Sequence, residues 1–317
     1  MIIQATQLRK TFVSKSHVVE SVKDVTLAVE QGEIFGFIGP NGAGKTTTMR
    51  MLTTLLVPTE GKALIAGHDL IKEQQAIRKK IGYVSQAGGL DPACTARENL
   101  IFQAQLHGFS LHDAQLRAQE LVETFLLEPF ADRPVSTYSG GQKRRVDVAL
   151  SLVHKPHLLF LDEPTTGLDP QSRAHLWQEL MKIREQGTTI FLTTHYLDEA
   201  DVLCDRIAII DYGMIVAEGT PHALKKQIGG DIVMLGIEAS SNDSLKDLIK
   251  SQSFVREITE STEGLRICVD HGEHALASLV RLFDQTKVPL QKISLSRPTL
   301  DDVFLKQTGR SLRETSL

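Results

Sequence analysis

The sequence predicts an α/β protein with a smaller α+β module behind it. Three observations carry this. First, Gly39-Pro40-Asn41-Gly42-Ala43-Gly44-Lys45-Thr46 matches G-x-x-x-x-G-K-[ST], between an apolar run at 34–38 and a helix-compatible run at 46–52. Second, an apolar run at 158–161 stops at Asp162-Glu163, and a buried β run at 188–194 stops at His195. In an open α/β sheet ligands gather at that carboxyl edge. Third, from about residue 229 the pattern changes to strand, helix, two strands, helix, strand.

In chain order, residues 2–8 read as a strand, and 22–29 as a half-exposed one with alternating polarity. Phe12 precedes the polar stretch 14–17 and is placed to stack on an adenine ring, unless it is a core residue. At 39–46, glycines let backbone N–H groups turn inward around phosphate oxygens. The following helix N-terminus adds free donors and partial positive charge. Lys45 is expected to reach the β- and γ-phosphates, and the Thr46 hydroxyl to sit on Mg²⁺. Residues 61–84 are β-rich, and the strand from 81 ends in Gln86 on the nucleotide side. Residues 95–129 turn helical, with Leu100, Ala104, Leu106 and His107 on one face, and Leu116, Glu120, Val122, Leu126 and Leu127 continuing in the next helix.

Tyr138-Ser139-Gly140-Gly141-Gln142 is a second glycine-rich turn feeding a helix, hence a second anion site, with Ser139 as cap. A single phosphate loop does not need it, so the nucleotide is expected to be clamped from two sides. Asp162 ends a fully buried strand and is expected to hold Mg²⁺ through a water, with Glu163 polarising the attacking water. Residues 165–170 form a turn before a helix at 172–185. His195 falls where its N–H contacts the γ-phosphate, and a hairpin around Asp211-Tyr212-Gly213 closes the domain.

Composition bounds the function. An apolar fraction of 41% against 23% charged residues suffices for sizeable cores. A net charge of −4 and a pI near 6.3 do not suggest a nucleic-acid binder. Cys94, Cys204 and Cys268 are scattered with no C-x-x-C, which argues for a reducing compartment and against a zinc site or disulfide framework. No secretory leader is read at the N-terminus, and no apolar run approaches the ~20 residues that span a bilayer. The expectation is a soluble chain with no direct membrane insertion.

Together these motifs resemble the ATP-binding subunit of an ABC transporter, over about residues 1–220 and in the family's order. The Walker A loop is 39–46, the Q-loop glutamine Gln86, the signature Ser139-Gly140-Gly141-Gln142, the Walker B strand 158–162 with catalytic Glu163, the D-loop Gly167-Leu168-Asp169 and the switch histidine His195. Phe12 matches the aromatic A-loop. Tyr138 stands where the signature usually opens with leucine, and no loss of activity is expected from it. Tyr138-Ser139-Gly140-Gly141 followed by Arg144-Arg145-Val146-Asp147, with the tail at 298–310, is most similar to the daunorubicin-resistance exporter branch.

The resemblance implies a P-loop ABC ATPase core with an antiparallel β subdomain and a helical subdomain over 1–222, then a small ferredoxin-like α+β domain over 229–310 for dimer contact or regulation. It implies a catalytic set of Glu163, His195, Gln86 and Lys45. Nucleotide contacts fall to Phe12, residues 39–46, Thr47, 139–142 and Asp169, and Mg²⁺ contacts to Thr46, Gln86 and Asp162. It implies ATP sandwiched in a homodimer, a separate six-helix ABC-2 type permease, and a place on the cytoplasmic face of the membrane. Two readings compete. A non-transport ABC-type ATPase acting on DNA or ribosomes usually carries coiled-coil arms, zinc cysteines or tandem ATPase units, and none is seen here. A plain P-loop kinase would not need Ser139–Gln142, and it would transfer phosphate to an acceptor rather than to water.

Overall fold

In the computed structural model, which describes residues 1–14, 17–236, 243–261, 264–286 and 290–309, two units are distinguished, Met1–Thr220 and Pro221–Glu314. The first contains β1 (Ile3–Val13), β2 (Val18–Val29), β3 (Ile34–Ile38), α1 (Lys45–Leu52), β4 (Glu60–Ile65), β5 (His68–Asp69), α2 (Gln74–Arg78) and β6 (Ile81–Val84). Helices α3 (Ala96–Leu106), α4 (Leu111–Thr124) and α5 (Gly140–Ser151) follow. Then come β7 (Leu158–Asp162), α6 (Pro170–Glu185), β8 (Thr189–Thr194), α7 (Leu197–Leu203), β9 (Arg206–Asp211) and β10 (Met214–Gly219).

Ten strands form one sheet, ordered β5-β4-β1-β2-β10-β9-β3-β8-β7-β6. Strands β9, β3, β8, β7 and β6 are parallel neighbours. Strands β1, β2, β4 and β5 form the antiparallel wing. Strand β10 runs antiparallel to β9 and joins the wing through one parallel pair, Met214 with Asp24. Every residue of β3, β7 and β8 is buried, as central strands of a parallel sheet are. Phe191 of β8 meets Phe35, Phe37 and Phe160 at ring separations of 5.4–5.7 Å. Truncating such a ring to alanine costs about 3–5 kcal/mol, so this cluster anchors the strands whose ends carry the site.

Some boundaries differ from the sequence reading. Strand β6 stops at Val84, and Gln86 lies in a turn closed by Gly88 N–H on Ser85 O (3.2 Å) and Ser85 Oγ on Gly88 O (3.1 Å). Strand β8 stops at Thr194, one residue before His195. Helix α6 starts at Pro170 rather than 172, because Asp169 caps it and proline suits a first helical position. In α3 the buried face is Ala96, Asn99, Leu100 and Ala104, while Leu106 is exposed. In α4 it is Ala114, Ala118, Leu121 and Val122, while Leu116 and, beyond the helix, Leu126 are exposed. Leu100, Ala104, Val122 and Leu127 of the predicted faces are buried, but alanines complete the packed stripes and Leu106, Leu116 and Leu126 fall outside them.

The second unit contains α8 (Pro221–Lys226), β11 (Asp231–Gly236), α9 (Asp243–Lys250), β12 (Val255–Ser261), β13 (Gly264–Val269), α10 (Gly272–Thr286), β14 (Lys292–Ser296) and α11 (Leu300–Thr308). Its antiparallel sheet runs β12-β13-β11-β14, the ferredoxin-like order. Val233, Leu235, Ile267 and Val269 pack with Ile249, Ala275, Leu279 and Phe283. Helix α11 was not read as an element. A Thr299–Asp302 capping box starts it, and Asp302 Oδ1 accepts Arg266 Nε of β13 at 3.0 Å, with Nη2 2.6 Å away as an ion pair and both side chains mostly buried. Of the predicted ends, Ile237 and Arg310 lie outside the described residues.

Candidate functional site

The 39–46 loop leaves the carboxyl end of β3 and enters α1. A Cβ on Gly39 would lie 2.2 Å from Ile210 O, so backbone approach there excludes a side chain. Gly44 caps α1 at φ 107°, a left-handed conformation that favours glycine, with Ser21 O 2.6 Å from where its Cβ would be. Ala43 N–H is spent on Pro40 O at 3.2 Å, and Thr48 N–H to Gly44 O, 2.9 Å, is the first bond into α1, so the N–H groups of residues 44–47 are left for an anion. Pro40 and Ala43 are buried against the sheet, and Asn41 and Gly42 are exposed at the rim.

Lys45 is 5% exposed. Its Nζ donates to Gly39 O at 2.7 Å and Pro40 O at 3.1 Å, and lies 3.5 Å from Glu163 Oε1. Burial lowers its pKa, and the neighbouring Glu163 and Asp162 carboxylates oppose that. The ammonium is thus held under the loop, beside the space the free N–H groups face. Thr46 Oγ1 donates to Asp162 Oδ1 at 3.2 Å, whereas Thr47 Oγ1 pairs with Ser21 Oγ at 3.0 Å.

Asp162 is 2% exposed, and its Oδ1 also accepts from Thr193 Oγ1 of β8 at 2.7 Å. One residue on, Glu163 adopts φ 45°, a conformation rare for a side-chain-bearing residue and held here by Glu163 N–H on Thr193 O (3.1 Å) and Thr193 Oγ1 (3.0 Å). That turn aims the carboxylate back over the strand ends. Glu163 Oε2 lies 3.3 Å from His195 Nδ1, 3.5 Å from Gln86 Nε2 and 3.2 Å from Thr166 Oγ1. The His195 contact is close enough for charge pairing but is not aligned as a hydrogen bond. His195 leads the groups that hold Glu163 down at a pKa of about 2, with Lys45 adding to it and burial opposing it. Four sequence-predicted residues, Lys45, Gln86, Glu163 and His195, therefore meet at one point.

Hard oxygen donors fit a hard divalent cation, and the Thr46 hydroxyl beside the Asp162 carboxylate is such a pair. Gln86, named from sequence for the same ion, is placed against Glu163.

The second turn lies at the head of α5. Ser139 Oγ accepts Gln142 N–H at 3.3 Å, and Gln142 Oε1 accepts Ser139 N–H at 3.0 Å, a closed capping box. Gly140 and Gly141 lie in its first turn. Asp169 is engaged in capping α6, accepting Gln171 and Ser172 N–H at 3.1 and 3.0 Å. Phe12 is 43% exposed on β1, not a core residue, with Lys10 Nζ 5.4 Å from its ring centre.

Sequence reasoning missed two contributors, and the packing of a third residue that it had named. Thr193 carries both acids, and only its place in a β run ending at the ligand edge hinted at it. Ser21 came from the far wing and left no local signal. Tyr138 is 6% exposed, its ring edge-on to Phe130 at 5.0 Å and its one hydroxyl proton shared between Phe130 O (2.5 Å) and Arg133 O (3.1 Å). Its departure from leucine was visible in sequence, but its partners were not.

Comparison with known proteins agrees with this geometry. Residues 22–166 match the ABC transporter family, and residues 219–308 match the C-terminal domain of ATP-binding proteins of the DrrA1-3-like type. The chain is 41% identical over 298 residues to the daunorubicin/doxorubicin resistance ATP-binding protein DrrA of Streptomyces peucetius, covering 93% of this chain and 90% of that one. It is 36% identical over 315 residues to the linearmycin resistance ATP-binding protein LnrL of Bacillus subtilis, covering 99% of this chain and all of the relative (100%). It is 38% identical over 315 residues to the Nod factor export ATP-binding protein I of Bradyrhizobium diazoefficiens, covering 99% and 98%. Among solved structures, the dimeric ATP-binding cassette MJ0796 in a post-hydrolysis state with ADP and Pi superposes with a TM-score of 0.64 at 30% identity, over 69% of this chain and 98% of that one. Strand order, phosphate loop and sequence relationship converge: the chain belongs to the ABC transporter family, as a nucleotide-binding ATPase subunit of the DrrA-like exporter type.

Proposed function

We propose that this chain hydrolyses ATP at the interface of a homodimer and so powers export of a drug, antibiotic or lipid-like compound by a separate ABC-2 type permease. One observation carries the catalytic part: Glu163, turned back at φ 45°, stands among Lys45, Gln86 and His195 at the carboxyl edge of the sheet. The transport part is supported by relatives named for drug resistance and Nod factor export, and the dimer by the dimeric cassette.

Residues 1–222 form the nucleotide-binding domain in this reading. The phosphate loop 39–46, through the N–H groups its turn leaves unpaired, and the Lys45 ammonium bind the triphosphate, helped by Thr47, while Phe12 stacks on adenine. Residues 139–142 of a second copy close over the same nucleotide, with Asp169 at the seam. Thr46, Asp162 and Gln86 would hold Mg²⁺, which would supply positive charge against the phosphates. Glu163 orients water and takes its proton, and His195 steadies the γ-phosphate. A triphosphate competes with Glu163 for Lys45. Weakening that pairing raises the proton affinity of Glu163 from its low value, toward what a general base needs. The domain at 229–310 contributes dimer contact or regulation. Among the described residues no helix is long and apolar enough to cross a membrane, in keeping with attachment to the cytoplasmic face through the permease.

The test is a pull-down of the tagged chain from detergent-solubilised native membranes, with and without ATP. Recovery of a six-helix membrane protein supports the transporter reading. Recovery only with DNA, ribosomes or a cytosolic protein overturns it and leaves the ATP chemistry standing.

A further inference from the structure

Helix α5 carries, one turn beyond its glycine-rich head, a side chain that reaches both segments of the catalytic group. Arg144 is 8% exposed. Its Nη1 donates to Ser85 O at 2.7 Å, its Nη2 to Asp162 O at 3.0 Å and its Nε to Pro164 O at 2.9 Å. Ser85 directly precedes Gln86, and Asp162 and Pro164 flank Glu163. One turn further along α5, Asp147 Oδ1 accepts Gly89 N–H at 2.9 Å, and its Oδ2 lies 2.7 Å from where a Cβ on Gly88 would be. The turn that presents Gln86 is therefore gripped on both sides, by a guanidinium at Ser85 and a carboxylate at Gly89. The contact between Gln86 Nε2 and Glu163 Oε2, 3.5 Å, lies between the segments so gripped.

From this geometry we propose that Arg144 and Asp147 are positioning residues of the ATPase reaction, which hold Gln86 and Glu163 in register with each other and with helix α5. A planar guanidinium with fixed donor directions ties three carbonyls at once, which a lysine, a single point donor, does not reproduce. Both residues act through backbone groups and lie outside the nucleotide-contacting set. Their loss is felt in turnover rather than in nucleotide affinity, since small misplacements of catalytic groups slow chemistry strongly.

The proposal rests on the ATPase reading, and the experiment separates the two. Full-length wild type, Arg144→Lys, Gln86→Ala and the double variant are compared in ATP binding by equilibrium titration, in steady-state ATPase kinetics and in thermal melting. Arg144→Lys is expected to lower kcat about tenfold with ATP affinity within about twofold of wild type. Because Arg144 acts partly through Gln86 and partly through the turn around Glu163, the double variant should lose less than the product of the two single losses. Asp147→Ala should show the same split of kcat from affinity, and Asp147→Asn, which keeps the acceptor for Gly89, should restore turnover. Wild-type kcat in Arg144→Lys, or losses that multiply in the double variant, would overturn the proposal. If Arg144→Lys loses the cooperative melt, Asp147→Ala combined with Gln86→Ala supplies the same comparison. A wild-type chain that neither binds nor hydrolyses ATP sinks the ATPase reading instead.

Discussion

Glu163 stands 3.5 Å from Lys45, and this pairing joins a residue of the phosphate loop to the first residue beyond β7. Neither side chain is free in solvent: Lys45 is 5% exposed and Glu163 10%. The same carboxylate touches His195 and Gln86, so three loops from three strand ends converge on one acid.

Glu163→Gln keeps the size and the Lys45 contact but removes the proton acceptor. General-base catalysis is worth about 10²–10⁴ in rate, so kcat for ATP should fall at least about 100-fold. ATP affinity should stay within a few-fold of wild type. Steady-state turnover beside equilibrium titration checks both, and unchanged turnover would remove Glu163 from the reaction.

Lys45→Ala removes the cation under the phosphate loop. Charge-assisted hydrogen bonds are worth about 1.5–3 kcal/mol, so ATP should bind about 10–100-fold more weakly. Wild-type affinity in a titration with a fluorescent ATP analogue would contradict the loop's role.

Asp162→Asn tests the cation site. Thr46 keeps its hydrogen-bond partner while the carboxylate charge is lost. The Mg²⁺ concentration for half-maximal ATPase should rise about 10–100-fold. A magnesium titration with an unshifted midpoint would exclude Asp162 from holding the ion.

Tyr138→Phe keeps the ring on Phe130 and deletes the hydroxyl that bonds Phe130 O and Arg133 O. Losing this one shared hydrogen bond should destabilise the fold by about 1 kcal/mol, read from urea unfolding. Turnover should change less than about twofold at a temperature where both proteins are folded. A large loss of kcat without loss of stability would give Tyr138 a catalytic part.

Glu179 of α6 is 8% exposed, and burial raises its pKa to about 7 despite Arg145 and Lys182. Arg145 Nε lies 3.4 Å from Glu179 Oε1, while Glu179 Oε2 has no hydrogen-bond partner. A carboxyl whose folded pKa is raised binds more protons folded than unfolded, so its stabilising contribution is full below about pH 4.5 and is lost as pH rises through 7. Glu179→Gln abolishes that titration. Relative to wild type it should gain roughly 1–2 kcal/mol on going from pH 5 to pH 8, allowing for the ion pair it loses. Parallel urea curves for the two proteins at both pH values would refute the buried-charge account.

Much of this protein was legible in the chain because its signals are local. A glycine-rich loop between an apolar strand and a helix fixes its own geometry, as Gly44 at φ 107° illustrates. Buried runs such as Leu158–Asp162 announce central strands, and the polar residues after them announce the ligand edge. The ferredoxin-like order of the second unit followed from element order alone. Tertiary structure decided the rest, because hydrogen bonds between distant segments leave no periodicity. Arg144 finds Ser85, 59 residues away, as well as the turn around Glu163, 18 and 20 residues on. Thr47 spends its hydroxyl on Ser21 of the antiparallel wing, and Asp169 spends its carboxylate on its own helix. Sequence could place Glu163 at a strand end, but only packing could turn its backbone to φ 45° and aim the carboxylate at Lys45 and His195. A conformation rare for such a residue persists only where surrounding contacts, here those of Thr193, hold it.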